Sequence, residues 1–397
     1  MEVRTVHKPI YLDYHATTPV DARVLEAMLP FFGPKFGNAA SRTHSFGWEA
    51  EKAVEVARRR IAGLAGAAAR EIVFTSGATE SDNLAIKGVV EACRDRGNHV
   101  VTMATEHPAV LDTVRHLEKL GCQTTILPPG QDGLLDPARL REAIRPATVL
   151  VSVMAANNEI GVVQPVREIG AICRERGVFF HCDAAQAFGR IPIDVEALHI
   201  DLMSLSAHKL YGPKGIGALY VRRKSPRVAL AAQMDGGGHE SGYRSGTLNV
   251  PAIVGFGEAC AIAQREMSEE AARTGALRDR LLGQLEGGLP DVALNGSRTQ
   301  RLPGNLNVSF LGVEADMLLM SLPEIALSSG SACSSESPQP SHVVKALGVG
   351  PWRERSAVRF GIGRFTTAEE IDYAAARVVE SVRRLRSLAP GGIGESQ

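Results

Sequence analysis

A charged side chain at the end of a buried strand needs a reason, and Lys209 stands in such a place. It follows a predicted strand over Asp201 to Ser206 in the run DLMSLSAHKLYGPKGIG and leads into a glycine-rich loop, Gly212 to Gly217. Burying an ammonium group is expensive enough that such a lysine usually has a partner or a chemical role. Schiff-base chemistry is a fitting role, because desolvation lowers the amine pKa and the neutral amine attacks an aldehyde. A lysine that merely snorkels out of a strand end fits the same letters.

An acid upstream shifts that balance. Asp183 closes GVFFHCD, in which Val178 to Cys182 reads as a second buried strand. Its distance along the chain from Lys209 suits a strand, a crossover helix and a neighbouring parallel strand, whose carboxyl ends line one crevice. An acid and a lysine at that edge match the needs of pyridoxal 5'-phosphate. The carboxylate keeps the pyridine nitrogen protonated, and the lysine holds the aldehyde carbon. A structural Asp–Lys ion pair is the competing reading of these two residues alone.

Three further strand ends add candidates. In REIVFTSGATESDNLAIKGVV, Ile72 to Thr75 reads as a strand, Ser76-Gly77-Ala78-Thr79 as a turn, and the remainder as a helix. The free amides of that helix start, with the Thr79 hydroxyl, form an anion site, although the letters also suit ordinary capping. The chain holds no G-x-x-x-x-G-K-[ST] string, and GPKGIG lacks dinucleotide spacing, so nicotinamide chemistry is disfavoured. MATEHPAVLDT puts His107 before a proline and a helix, where an imidazole either caps or stacks on a ring and moves protons. VLVSVMAANNEIGVVQP ends in Asn157 and Asn158, amides that bind a ring hydroxyl or a carboxylate, or form a turn.

The six cysteines, at 93, 122, 173, 182, 260 and 333, include no C-x-x-C pair, which argues against a metal or cluster site. Cys93, Cys173 and Cys260 fall on helical patterns, Cys122 and Cys182 in strand-like runs, and all five read as packed small apolar residues. Cys333 lies in ALSSGSACSSESPQPS, a Ser/Gly/Pro-rich loop expected to be accessible and mobile. Its thiol therefore reads as a functional nucleophile.

The elements that must position these groups are visible as alternating strand and helix patterns from about residue 50 to 262. They argue for a doubly wound α/β domain with a mostly parallel sheet, spanning 17–262. A long helical stretch after Ala259 leads to 263–397, a smaller α+β region expected to pack with residues 1–16. At 397 residues and 44% hydrophobic, the chain can bury two such cores. Forty-four basic residues balance 44 acidic ones without a basic block, so direct nucleic-acid binding is not indicated. No apolar run is long enough to span a membrane and no leader is apparent, so a cytoplasmic place with reduced thiols is expected.

The strings YLDYHATTPV, SGATESDN, NNEIGVVQP, SAHKLYGPKGIGALY, GGGHE, RSGT and SSGSAC together resemble the cysteine desulfurases of the NifS/IscS type, in the class V aminotransferase group. The resemblance runs from Tyr11 to Tyr373. It implies the type I fold of pyridoxal-phosphate transferases, with Lys209 as the cofactor lysine, Asp183 on the pyridine nitrogen and His107 stacked on the ring. Gln186 and Asn157 would contact the cofactor's hydroxyl side. Ala78, Thr79, Ser206 and His208 would hold its phosphate, with Thr247 reaching over from a second subunit of a homodimer. Arg359 would clamp the substrate carboxylate, helped by Asn38 and Asn157, and bidentate chemistry suits a guanidinium there. Cys333 would take sulfur from L-cysteine as a persulfide, leaving L-alanine, and pass it to an acceptor such as an iron–sulfur scaffold or a thiolation enzyme. His107 is the expected acceptor of the Cys333 thiol proton. A selenocysteine lyase or another lyase of the same fold is the alternative. Ala207 and Ala185 stand where glycine and threonine are usual, and the tail after SLAPGG is shorter than in many IscS-like members.

Overall fold

The computed structural model describes residues 8–329 and 341–388. Cys333 and the tail from Pro390 lie outside the described residues. The chain begins with β1 (Ile10–Tyr11) and α1 (Ser45–Ala65), then alternates β2 (Ile72–Thr75), α2 (Ala78–Ala92), β3 (His99–Met103), α3 (Pro108–Lys119), β4 (Gln123–Leu127), β5 (Thr148–Ser152), α4 (Val166–Arg176), β6 (Phe179–Asp183), β7 (Leu202–Ser206) and β8 (Gly217–Val221).

The strands β2 to β8 form one sheet in the order β2-β8-β7-β6-β5-β3-β4. It is mostly parallel, as expected; β8 alone runs antiparallel, to both β2 and β7. Every residue of β2, β3, β5, β6, β7 and β8 is buried, which explains their near-continuous apolar letters. Alternate residues serve opposite faces. Phe74, Val101 and Met103 join the core under α1 and α4, whereas Val73 and Val100 join the core under α2 and α3. Only β4, at the edge, exposes polar residues.

The expected helix between β6 and β7 is absent. Residues 184–201 cross as a chain of turns, and Pro192 and the left-handed Gly189 (φ +72°) deny that stretch a helical run.

A 39-residue helix, α5 (Val250–Gly288), then joins two cores. Val250 to Ala263 pack into the large-sheet core, while Leu277 to Leu285 pack into a second one. That second core also gathers β9 (Val292–Leu294), β10 (Asn305–Phe310), β11 (Ile325–Ala326), β12 (Ala357–Gly361) and α6 (Ala368–Leu388). Its antiparallel sheet has the order β12-β10-β9, and β1 pairs in parallel with β11. Ile10 and Leu12 thereby tie the N-terminal stretch to residues far along the chain.

Cys93, Cys173, Cys182 and Cys260 are buried, and burial pushes their thiols up. Cys122 is only half-buried, just ahead of β4, yet it packs against the core under α2 and α3, and its thiol donates to Asn98 O at 2.9 Å. No helix among the described residues is long and apolar enough to cross a membrane.

Candidate functional site

Neighbouring parallel strands bring their carboxyl ends to one edge. β6 and β7 pair with Asp183 opposite Ser204, so Asp183 and the turn after Ser206 open into the same cavity, of about 540 Å³. Lys209 ends that turn, and its Nζ donates to the carbonyls of His15 at 2.6 Å and Ala16 at 2.7 Å. Asp183 accepts from Ala185 N at 2.9 Å. Burial raises its carboxyl, opposed by that bond and by His107 and Lys209. Asp82 lines the same cavity, and burial and then repulsion from Asp183 push its carboxyl well above the usual carboxylate range.

Ala78 and Thr79 line the cavity at the start of α2, whose N-cap, Gly77, supplies no side chain. The backbone amides there are therefore left for an anion. Close packing sets this turn: a Cβ on Gly217 would lie 2.7 Å from Gly77 Cα and 2.4 Å from Leu205 O. Ser206, His208 and Lys214 line the same space. His208 Nδ1 lies 3.0 Å from Thr17 Oγ1, and burial, with the nearby Lys209 and Lys214, lowers its pKa to about 4.

His107 caps α3, its Nδ1 accepting from Ala109 N at 3.1 Å, and it lines the cavity. Burial lowers its pKa, partly offset by Asp183. A neutral ring that accepts at Nδ1 carries its proton on Nε2, so His107 offers the cavity a donor. To accept a thiol proton it would have to release Ala109.

Gln186 lines the cavity, donates to His15 O at 2.9 Å and keeps a buried, unpartnered Oε1. Asn157 stands behind the wall instead. Its Nδ2 donates to Thr105 O and Met154 Sδ, and its Oδ1 accepts from Glu159 N and Ile160 N. Those bonds use its amide fully, and the neighbouring Asn158 is the one that lines the cavity. Asn157 thus shapes the turn that presents Asn158.

Arg359, on β12, closes the opposite side at 2% exposure. Its Nη2 donates to Asp13 at 2.8 Å and its Nη1 to Asn158 O at 2.9 Å, while Nε has no partner. Asn38 and Thr247 are exposed and outside this cavity; Asn38 accepts from Ala40 N at 2.9 Å. The stretch before Thr247 is pinned by Arg244–Glu80 and by a paired Arg58–Glu240 contact. Glu240 and Ser241 take left-handed φ of 51° and 60°, a conformation tolerated because those contacts hold it.

The described residues on either side of Cys333 meet the cavity's surroundings. Ser328 bridges to Arg359, and His342 Nε2 lies 3.0 Å from Glu106 O. Ser341 donates to the buried Glu159.

Sequence reasoning offered Asn158 beside Asn157 as a binding amide but missed His15, Ala16, Thr17, Asp82 and Lys214. Their signals were the polar letters inside YHATT, ESDN and GPKG. The residues present fit pyridoxal 5'-phosphate. A buried acid faces a lysine, open helix-start amides can take a phosphate, and Gln186 keeps an unpartnered buried amide oxygen.

The aminotransferase class-V family model matches residues 10–374. A cysteine desulfurase IscS from Anaeromyxobacter sp. (strain Fw109-5) is 60% identical over 382 residues, covering 96% of this chain and 94% of that protein. A solved NifS-like protein superposes with a TM-score of 0.88 at 36% identity, over 94% of this chain and 99% of that one. The structure described as SspA in complex with cysteine gives 0.77 at 38% identity, over 90% and 100%.

Proposed function

The chain belongs to the aminotransferase class-V family, and on that premise we propose that it is a cysteine desulfurase. It converts L-cysteine to L-alanine and carries the sulfur on Cys333. The observation that carries this reading is the meeting of Lys209, Asp183 and His107, beyond strand ends of one sheet, with Arg359 in one cavity.

Bound there, pyridoxal 5'-phosphate would supply an aldehyde for amines and a ring that draws electrons from Cα. Asp183 would keep the ring nitrogen protonated. The amides of Ala78 and Thr79, with Ser206 and His208, would hold the phosphate, and Gln186 the ring hydroxyl. His107 would cover the ring and donate through Nε2. Arg359, oriented by Asp13 and Asn158 O, would hold the substrate carboxylate; Asn38 would assist after a movement of its loop. Lys209 Nζ would take the Cα proton and return one to the carbon that loses sulfur. Cys333 Sγ would attack the substrate's sulfur: an S–S bond forms, the C–S bond breaks, and its electron pair stays on carbon. The attacking thiol must be ionised, since a free thiol near pKa ~8.5 is mostly protonated at neutral pH. The anchoring of Ser328 on Arg359 and of His342 on Glu106 supports bringing Cys333 to this cavity.

In this reading residues 17–262 hold the cofactor, and residues 1–16 with 263–397 bring substrate and nucleophile. The working unit is a homodimer in the cytoplasm, with Thr247 completing the partner's phosphate site. The exposure of Thr247 away from its own cavity supports that, as do exposed apolar side chains such as Phe36 at 69% and Trp48 at 55%. The acceptor would be a protein that receives a persulfide sulfur, such as an iron–sulfur scaffold.

The reading is tested by supplying the protein with the cofactor and L-cysteine, whereupon alanine should form in step with transferable sulfur. Absence of alanine from a folded, yellow protein would refute it. Mixing Lys209→Ala and Thr247→Ala chains tests the dimer. Hybrids would have one doubly damaged site and one intact site, so activity should reappear on mixing.

A further inference from the structure

His15 takes no part in the function derived above, yet it is 1% exposed and lines the cavity. Its ring Nδ1 lies 2.7 Å from Arg190 Nη1. A guanidinium has only donors, so Nδ1 must be the acceptor. Arg190 is itself held, its Nη2 donating to Tyr14 O at 2.9 Å and Lys209 O at 3.0 Å. Burial, with the charges of Arg190, Arg359, Lys209 and Arg301, lowers the His15 pKa well below its ordinary value. The ring is therefore neutral, and its single proton sits on Nε2. That nitrogen has no hydrogen-bond partner.

A buried N–H without an acceptor is costly, and a site surrounded by cations favours an anionic acceptor. A second donor facing this cavity, Arg359 Nε, is also unpartnered. In an amino-acid substrate the amine is committed to the cofactor and the thiol to the nucleophile. The α-carboxylate is the remaining group and the permanent anion.

We infer that His15 is a further substrate-binding residue, its Nε2–H donating to the α-carboxylate of L-cysteine beside Arg359. Arg190 acts as a positioning residue, because it fixes which ring nitrogen carries the proton. The inference rests on reading this cavity as an amino-acid site.

The test compares two ligands that differ only in the carboxylate, L-alanine and ethylamine, titrated into the cofactor-loaded protein and read from the cofactor's visible absorbance. His15→Leu should weaken L-alanine about ten- to a hundredfold, the range for a hydrogen bond to a charged group, and leave ethylamine within about twofold. KM for L-cysteine should rise with kcat changed by less than about threefold. His15→Gln, which keeps an N–H donor, should recover most of the L-alanine affinity. If the leucine variant does not fold, His15→Ser is small enough to seat without strain and gives the same ratio. Equal weakening of both ligands, or no weakening of L-alanine, overturns the inference. Failure of the wild-type protein to form alanine from L-cysteine would instead sink the reading of the site.

Discussion

The two walls of the cavity are built differently. One is made by the strand ends of a single sheet: Asp183, Ser206 and Lys209 follow β6 and β7, and Ala78 and Thr79 follow β2. The other is assembled from stretches outside that sheet, with Arg359 on β12 and His15 to Thr17 near the N-terminus, and it meets Asn158 in the turn beyond β5. The first wall is positioned chiefly by backbone pairing within the sheet. The second depends on buried charges, namely Arg359 against Asp13 and Arg190 against His15, Tyr14 O and Lys209 O. A sheet edge suits a resident cofactor that must not move. Paired charges suit a carboxylate that arrives and leaves, since each donor is already oriented when it arrives.

If that division is right, damage to the sheet-edge wall should stop chemistry and damage to the other should weaken binding. Lys209→Ala should reduce alanine formation by about 10⁴-fold or more while leaving the fold intact. Borohydride reduction of the wild-type protein, followed by peptide mapping, should find the cofactor on Lys209. Recovering it on Lys214 would break the assignment.

A smaller effect is expected on the opposite wall. Arg359→Lys keeps the charge that Asp13 needs but loses the planar fork, so KM for L-cysteine should rise about a hundredfold with kcat little changed. Asp13→Asn, which only loosens the guanidinium, should raise KM by about tenfold. A fall in kcat with unchanged KM for either variant would erase the distinction between the walls.

The smallest effect concerns stability. Glu159 is buried where Ser341, just past the segment carrying Cys333, donates to it, and burial raises its pKa to about 7 against Ser341 and Arg359. Between about pH 4.5 and 7 the folded chain keeps a proton that the unfolded chain releases. Stability therefore falls as pH rises through that window, by at most ~3 kcal/mol. Glu159→Gln should flatten that slope in denaturant unfolding measured across the window. An unchanged slope would mean Glu159 is ionised throughout.

The same contrast explains what can be read from the letters. The sheet-edge wall is legible because each residue directly follows an apolar run, as Asp183 follows VFFHC, and strand ends in a parallel sheet must converge. The other wall has no such local rule. Only the pairing of β1 with β11 and of β10 with β12 brings Asp13 to Arg359, and sequence periodicity says nothing of that pairing. The letters cannot rank the adjacent amides Asn157 and Asn158; only the folded turn shows that its own backbone uses Asn157 and leaves Asn158 to the cavity. The helix expected between β6 and β7 fails because chain length alone suggests it, where Gly189 and Pro192 argue for turns.

The central claim is that sulfur passes from L-cysteine to Cys333 while the cofactor site works independently of that residue. Cys333→Ser tests it most directly, using sulfur-labelled L-cysteine with the loaded protein. The wild type should form alanine and carry label on the peptide containing Cys333, released by a thiol reductant. The variant should stay yellow, bind L-cysteine with a change of absorbance, carry no label and form no alanine. Alanine and sulfide released by the variant at the wild-type rate would contradict the account, leaving a direct lyase with Cys333 as a bystander.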